Sequence, residues 1–148
     1  MDILKILRMK AGLYMDKETY LSLALARIER AEELLEEAET LLKEDKYKSA
    51  NNRAYYSIEK SIKALLSMIE LDADSHNGCL KQFNVHFIKE EKGGFVIGDY
   101  KKIADAQRIR NNSDYDDFYI ADKAECERQV ITAREIFQLA SKYIAENT

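Results

Sequence analysis

Apolar residues recur at alternating steps of three and four early in the chain, which is the spacing of one helix face. This stripe predicts a helix from about Asp16 to Lys43, with glutamates on its other faces. Alanines at alternate stripe positions leave room for a closely packed neighbouring helix. The stripe comprises Leu21, Ala24, Ile28, Ala31, Leu35, Ala38 and Leu42.

A second apolar stripe follows a short polar break at residues 44–46 and predicts a helix from about Tyr47 to Glu70. Because the break is so short, the two long helices should form an antiparallel pair. This stripe comprises Tyr47, Ala50, Ala54, Ile58, Ser61 or Ile62, Leu65 and Ile69.

The middle of the chain predicts shorter elements. Residues 71–77 are typical of a turn, within which Asp74 or Ser75 would cap a third helix. Residues 90–94 (EEKGG) give the clearest loop signal in the chain. The third helix would carry Leu80, Phe83, Val85, Phe87 and Ile88.

Two further helices are predicted in the last third. The fourth carries Tyr100, Ile103, Ala104 and Ile109 and should fray near residues 111–112. An acidic and aromatic loop then runs over residues 113–120 (SDYDDFYI). A capping box of Asp122 and Glu125 would open the last helix. Its stripe comprises Cys126, Val130, Ala133, Phe137, Ala140 and Ile144.

These elements predict an all-α fold: an antiparallel up-and-down bundle of four main helices plus one or two short helices. The absence of proline and the presence of only five glycines fit that class better than a turn-rich β fold. We expect a single domain over residues 1–148, with a core at about 17–146. Residues 1–15 would be an N-terminal extension, in which residues 3–7 form a short docked helix.

Composition and charge narrow the range of partners. A net charge of −4 provides no global basic field for duplex DNA. The apolar runs are too short for a membrane span, and residues 1–9 lack the features of a signal peptide. Two cysteines suit a reducing compartment. We therefore expect a cytoplasmic protein that contacts neither membrane nor duplex DNA.

The sequence contains no P-loop, dinucleotide-binding or metalloprotease motif. His76 and Cys79 have the spacing of half a metal site, but no second pair accompanies them. His86 is followed by apolar residues and is interpreted as a partly buried, hydrogen-bonded side chain. We predict no metal and no cofactor.

Basic residues gather in two regions. One runs along the start of the second helix and includes Arg53; the other runs along the fourth and includes Arg108 and Arg110. If these helices are neighbours, they form a local patch in which Tyr55 and Tyr56 offer stacking faces for a base. The alternative is ordinary solvated basic residues beside core tyrosines.

Residues 108–118 (RIRNNSDYDDF) are the most distinctive stretch. Arg110, at the expected end of the fourth helix, has the planar fork that suits bidentate phosphate binding. Alternatively, Arg110 pairs with Asp114 or Asp116 and locks the loop. Both interpretations stay open at this stage.

Three segments together resemble the small stand-alone bacterial and archaeal branch of the HEPN domains (higher eukaryotes and prokaryotes nucleotide-binding). These are residues 24–66, which contain the block RAYY, residues 75–89 (SHNGCLKQFNVHFIK), and residues 108–118 with the block DYDDF. The resemblance extends from about Leu21 to Ile144. It implies an antiparallel bundle that forms a homodimer and pairs with a minimal nucleotidyltransferase, often as a toxin–antitoxin system.

The resemblance also implies a metal-independent RNase motif, R-x4–6-H, whose arginine and histidine meet an RNA phosphate at the dimer cleft. Arg110 and the polar Asn111 fit its first half. Tyr115 stands five residues after Arg110, followed by two aspartates, so the motif histidine is absent. A tyrosine with a reference pKa of about 10 is a poor base at neutral pH.

Three hypotheses follow. The first is a dimeric module with little or no catalysis that binds nucleotide or RNA through Arg110, Asn111 and the Tyr55/Tyr56 region. The second is an active RNase toxin in which Tyr115 or Asp114 replaces the histidine. The third is a protein-interaction module that uses the acidic loop. In the first two, we expect Arg110 to face a recess shared by two subunits.

Overall fold

A computed structural model describes residue 3 and residues 16–72 and 76–148; the side chains of residues 76 and 77 lie outside this description. The described part is all-α, as predicted, and contains no strand. Its five α-helices are α1 (Lys17–Lys43), α2 (Tyr47–Met68), α3 (His76–Phe83), α4 (Ile97–Tyr115) and α5 (Lys123–Glu146). The helix predicted for residues 3–7 and the cap predicted at Asp74 or Ser75 lie outside the described residues.

Helices α1 and α2 form the predicted antiparallel pair. The Asp16 side chain caps α1 by accepting a hydrogen bond from the Thr19 backbone N–H at 2.8 Å. At the other end, Asp45 adopts a left-handed backbone conformation (φ 59°) that turns the chain into α2. The fully buried alanines let the helices approach closely, and the Ser57 hydroxyl donates to the Ala31 carbonyl oxygen at 2.8 Å. Helix α2 ends at Met68, two residues before the predicted end.

Helix α2 lies at the centre of the molecule, because α1, α4 and α5 all pack against it. Three of its serines and Asn51 are buried along with its apolar residues, consistent with neighbours on several sides. Helix α5 begins as predicted at Asp122, whose side chain accepts from the Glu125 backbone N–H at 2.7 Å. The structure thus shows this half of the predicted capping box.

As predicted for the third helix, the chain stays helical as far as Ile88, but the last part has a different hydrogen-bonding pattern. Residues Asn84–Ile88 form a π-helical turn directly after Phe83. This turn places Phe87 against Phe83 and Phe95, with ring centroids 5.7 and 6.0 Å away. The predicted loop at residues 90–94 follows; it contains a 3-10 turn (Lys92–Gly94), with Gly93 at φ 68° and Gly94 at φ 81°.

The end of α4 corrects the prediction most directly. The helix does not fray at residues 111–112 but continues to Tyr115, so Asp114 and Tyr115 belong to its last turn and not to a loop. Asp114 follows Arg110 by four residues, and its carboxylate lies 3.0 Å from the Arg110 Nε atom. An acid–base pair at this spacing stabilises the helix across the asparagines.

Candidate functional site

The antiparallel contact between α2 and α4 brings the RAYY and RIRNN segments together. Farther along the same contact, Ile62 of α2 and Ile103 of α4 line the same small cavity. This shared lining shows the register of the two helices. One consequence is that Tyr56 in α2 lies beside Arg110 in α4, although 54 positions separate them in the sequence. The site therefore depends on helix packing and cannot form in either helix alone.

The Arg110 guanidinium makes contacts on each of its nitrogens. Its Nη2 atom donates to the Tyr56 hydroxyl at 2.8 Å. Its Nη1 atom donates to Asn111 Oδ1 at 3.2 Å and lies 3.5 Å from the Tyr115 hydroxyl. Its Nε atom lies 3.0 Å from Asp114 Oδ2, without the angle of a hydrogen bond. The last contact is therefore an ion pair, whereas Tyr56 provides the best hydrogen bond.

Three tyrosine rings surround this cation. The Arg110 Cζ atom lies 5.7 Å from the ring centroid of Tyr55, 5.5 Å from that of Tyr56 and 5.4 Å from that of Tyr115. These distances fall within the range of cation–π attraction. We call Arg110, its three tyrosines and Asp114 the tyrosine pocket.

The electrostatics keep Arg110 charged. Burial acts to lower its pKa, but the Tyr56 hydroxyl and the charges of Tyr56, Asp114 and Tyr115 act in the opposite direction, and the net pKa lies above its ordinary value. Burial also raises the pKa of Tyr55, so this phenol stays protonated. The tyrosine pocket is therefore a permanent cation held among three tyrosine rings and one carboxylate.

The structure separates the predicted site residues into two groups. Arg110, Asn111, Asp114, Tyr55, Tyr56 and Tyr115 lie together. Arg108 points elsewhere, because two residues along a helix turn a side chain by about 200°; its Nη2 atom pairs with Asp105 at 2.8 Å. Arg53 pairs with Glu37 of α1 at 3.1 Å. The structure thus does not bring Arg53 or Arg108 into the tyrosine pocket.

Arg110 is enclosed within a single chain, and the recess shared by two subunits stays a prediction. The residue is 8% exposed, and side chains of its own chain cover it. The ion pair with Asp114 is the alternative that the sequence left open, and it is the arrangement observed. An anion that approaches Arg110 must therefore compete with Asp114. By contrast, Tyr115 is 75% exposed and marks the outer edge of the pocket.

Two buried polar residues near the site were missed in the sequence. Asn51 is fully buried in α2, and neither its amide nitrogen nor its amide oxygen has a hydrogen-bond partner within the described part of the chain. The buried Ser113 hydroxyl in α4 also has no hydrogen-bond partner within the described residues. Because α2 and α4 are antiparallel, both residues lie beyond the Tyr56–Arg110 contact toward the same end of the bundle. The sequence signal for the burial of Asn51 was its spacing: it lies four residues after Tyr47 and four before Tyr55, which is the spacing of one helix face.

Of the candidate metal ligands His76 and Cys79, the side chain of His76 lies outside the description. Among the residues described, no group of three or more histidine, cysteine and acidic side chains could hold a metal ion. Burial raises the pKa of Cys79 to about 12 and that of Cys126 to about 11, so both are protonated at neutral pH. Within the described ranges, no helix is both long and apolar enough to span a bilayer.

Fold and site together define a small all-α bundle that carries one fixed, enclosed arginine between two neighbouring helices. The HEPN domain profile matches residues 24–143 of this chain. The chain belongs to the HEPN domain family.

Its relatives include two proteins of Methanocaldococcus jannaschii and one of Thermotoga maritima. "Putative toxin MJ0142" is 33% identical over 117 residues, which cover 79% of this chain and 78% of that protein. "Putative toxin MJ0605" is 37% identical over 91 residues, covering 61% and 66%. A "UPF0332 protein" of Thermotoga maritima is 38% identical over 71 residues, covering 48% and 54%.

Proposed function

We propose that this chain is a toxin-type HEPN module that binds the phosphate of RNA or a nucleotide through Arg110. The observation that carries the proposal is the enclosure of Arg110: a permanent cation, held by Tyr56 at 2.8 Å and surrounded by three rings. Pre-positioning a guanidinium removes part of the ordering cost of binding an anion. The toxin names of two relatives support the toxin-type role. We further propose that the protein acts in the cytoplasm.

In this proposal, a bound phosphate replaces the Asp114 carboxylate beside Arg110. This carboxylate lies beside Nε, and the Asp114 side chain is 24% exposed, so it can turn toward solvent. The neighbouring Tyr115 ring, on the exposed edge of the pocket, offers a stacking face for the base attached to that phosphate. Asn111 already contacts Nη1 of Arg110. In this proposal it also contacts the same phosphate.

The same site supports weak catalysis at best. An efficient RNase of this class would need a proton carrier near neutral pKa, and the phenol of Tyr115 occupies that position. The absence of a general acid–base group costs a typical factor of about 10²–10⁴ in rate. We therefore propose binding as the main activity of this site.

Binding to a fluorescently labelled single-stranded RNA, and separately to a labelled nucleotide, tests the proposal. We expect Arg110→Ala to weaken binding at least tenfold and Arg110→Lys to restore only part of it, because a lysine lacks the planar fork. Arg108→Ala is the matched control: it removes the same charge two residues away, outside the tyrosine pocket, and should change affinity less than twofold. Equal losses in Arg110→Ala and Arg108→Ala would contradict the proposal.

An active RNase is the second candidate, favoured by the 3.5 Å approach of the Tyr115 hydroxyl to Arg110 Nη1. Its signature is RNA cleavage in EDTA that disappears in Arg110→Ala. Binding without cleavage in the wild-type chain would exclude it and leave the first proposal standing.

We also propose that the chain forms a homodimer and pairs with a minimal nucleotidyltransferase. A stable homodimer should bury more than about 1,000 Å². Light scattering of the purified chain measures the oligomer directly, and a monomer at all concentrations tested would contradict that part of the proposal. Co-purification with a nucleotidyltransferase encoded beside it tests the pairing.

A further inference from the structure

The loop between α4 and α5 exposes apolar side chains to an unusual degree. Phe118 is 93% exposed, Ile120 is 86% exposed, and Tyr115, at the end of α4, is 75% exposed. We call residues 115–120, which are the last residue of α4 and the turn that follows it, the Phe118 loop. Scattered exposed apolar residues are normal on a protein surface, but three within six consecutive positions indicate a contact surface.

Hydrogen bonds hold this loop in a defined shape. The Asp116 carboxylate accepts from the Phe118 backbone N–H at 2.9 Å, and the Asp116 carbonyl oxygen accepts from the Tyr119 backbone N–H at 3.1 Å. Two residues after this loop, the Asp122 side chain caps α5. The turn therefore presents Phe118 outward from an ordered backbone, which lowers the entropy cost of using it as an anchor.

The charged side chains that flank Phe118 in the sequence are acidic. Asp116, Asp117 and Asp122 lie within four positions of it, and no lysine or arginine occurs from Asn111 to Asp122; Asp114, farther back, is paired with Arg110. The carboxylates of residues 116–117 repel the anionic headgroups of a bilayer and disfavour a nucleic acid along residues 116–120, which lie beyond the Tyr115 ring proposed above to stack on a base. These carboxylates attract a protein surface whose rim carries lysine or arginine.

A second copy of this chain is a poor occupant. Two Phe118 loops that met across a twofold axis would bring their aspartates together. Three grooves in the described part of the chain carry no excess of positive charge: one of about 580 Å³ is lined by three glutamates and Arg53. Two others, of about 150 and 190 Å³, carry equal numbers of acidic and basic residues.

We propose that the Phe118 loop docks into an apolar pocket, rimmed by lysines or arginines, on a different protein. Phe118 fills the pocket, Ile120 extends the apolar contact, and the aspartates pair with the rim. This contact needs no phosphate on Arg110 and goes beyond the function proposed above.

Site-specific photo-crosslinking tests the proposal in cells that express the full chain from its own gene. A photoreactive phenylalanine replaces Ile120, and in a matched strain it replaces Leu25, an exposed apolar residue of α1. We expect a protein-sized product that appears from position 120 only and survives RNase. Mass spectrometry should map it to apolar residues flanked by lysine or arginine on a different protein.

Charge and apolar variants then test the chemistry of the contact. Asp116→Asn with Asp117→Lys keeps an acceptor for the turn but removes the negative charge, and should lower the crosslinking yield at least tenfold. Glu29→Gln with Glu32→Lys makes the same charge change on the exposed face of α1 and should leave the yield within twofold. Phe118→Ser should also lower the yield at least tenfold.

Several results would overturn the inference: no product from position 120, a product that is a second copy of this chain, an RNase-sensitive product, or a mapped site flanked by acidic residues. Equal effects of the Asp116/Asp117 and Glu29/Glu32 variants would do the same. Phe118→Ser, which lowers the yield, should leave the affinity for labelled RNA within twofold. Failure of the docking proposal is thereby distinguishable from failure of phosphate binding.

Discussion

At the scale of single residues, Arg110 forms one of the two contacts that its sequence context allowed. The stretch RIRNNSD allowed either an anion-binding arginine or an arginine paired with a nearby aspartate. The structure shows the pair with Asp114, and the pair occupies the edge at which an anion would bind. The proposed phosphate site is thus closed by an internal counter-ion while no ligand is bound.

Removing that counter-ion should strengthen binding. We expect Asp114→Asn to raise the affinity for labelled RNA about two- to fivefold, which corresponds to the modest free energy of a partly exposed ion pair. Fluorescence anisotropy at constant salt measures the change. Asp105→Asn, which removes the partner of Arg108 on the same helix, is the control and should have no such effect. A loss of affinity in Asp114→Asn would show that this carboxylate helps the ligand to bind.

The two cysteines should be unreactive in the folded chain. Both are buried, and burial raises the pKa of Cys79 to about 12 and that of Cys126 to about 11. Because the thiolate is the reactive form, we expect no reaction with Ellman's reagent at pH 8 in the native state. Two equivalents should react in denaturing guanidinium chloride, which serves as the control. Full reaction without denaturant would contradict the buried positions.

The raised pKa values of Cys79 and Cys126 also predict how the free energy of unfolding depends on pH. Unfolded thiols ionise near pH 8.5, whereas the folded thiols stay protonated, so the folded state holds more protons above that pH. The free energy of unfolding should therefore be fully retained below about pH 8.5 and should fall as the pH rises toward 11, by up to about 1.4 kcal/mol per pH unit for each thiol. Urea unfolding between pH 8 and 10 measures this decline. A Cys79→Ala/Cys126→Ala variant should show a shallower one.

At the scale of helices, the α1–α2 pair depends on small residues. Ala31 is fully buried beside the hydrogen bond from Ser57, so a larger side chain would force the two helices apart. We expect Ala31→Leu to lower the free energy of unfolding by about 1–3 kcal/mol, measured by urea denaturation. Ala26→Leu, on the exposed face of α1, adds the same atoms and should change stability by less than about 0.5 kcal/mol. Equal effects of the two substitutions would contradict the packing described here.

The helices were predictable where a strong stripe and a clear boundary coincide. The start of α1 behind Asp16 and the start of α2 after the polar break agree with the pattern, because caps and periodicity are local properties. The end of α4 was predicted wrongly, because two asparagines and a serine have weak helix propensity. The packing of Arg110 against Tyr56 of α2 and its ion pair with Asp114 hold the helix together past these residues. The π-helical turn at Asn84–Ile88 arises from the packing of Phe87, which no local pattern reports.

At the scale of the whole molecule, the sequence alone identified the family and the all-α class. It identified only some of the residues that form the site. Arg110, Asn111 and the adjacent tyrosines were identifiable as candidates from their residue types. Their arrangement depends on the register of α2 against α4, which is a tertiary property. For the same reason Arg53 and Arg108 were grouped with Arg110, although the structure pairs each with a carboxylate elsewhere.

The position of Asp114 has one more consequence. It contacts Arg110 from the last turn of α4, and the Phe118 loop starts at the very next residue. A ligand that takes the place of this carboxylate changes the forces on the first residue of the loop. If the two binding events are coupled in this way, thermodynamic reciprocity applies: the factor by which an RNA phosphate alters the affinity for the protein partner equals the factor by which that partner alters the affinity for RNA.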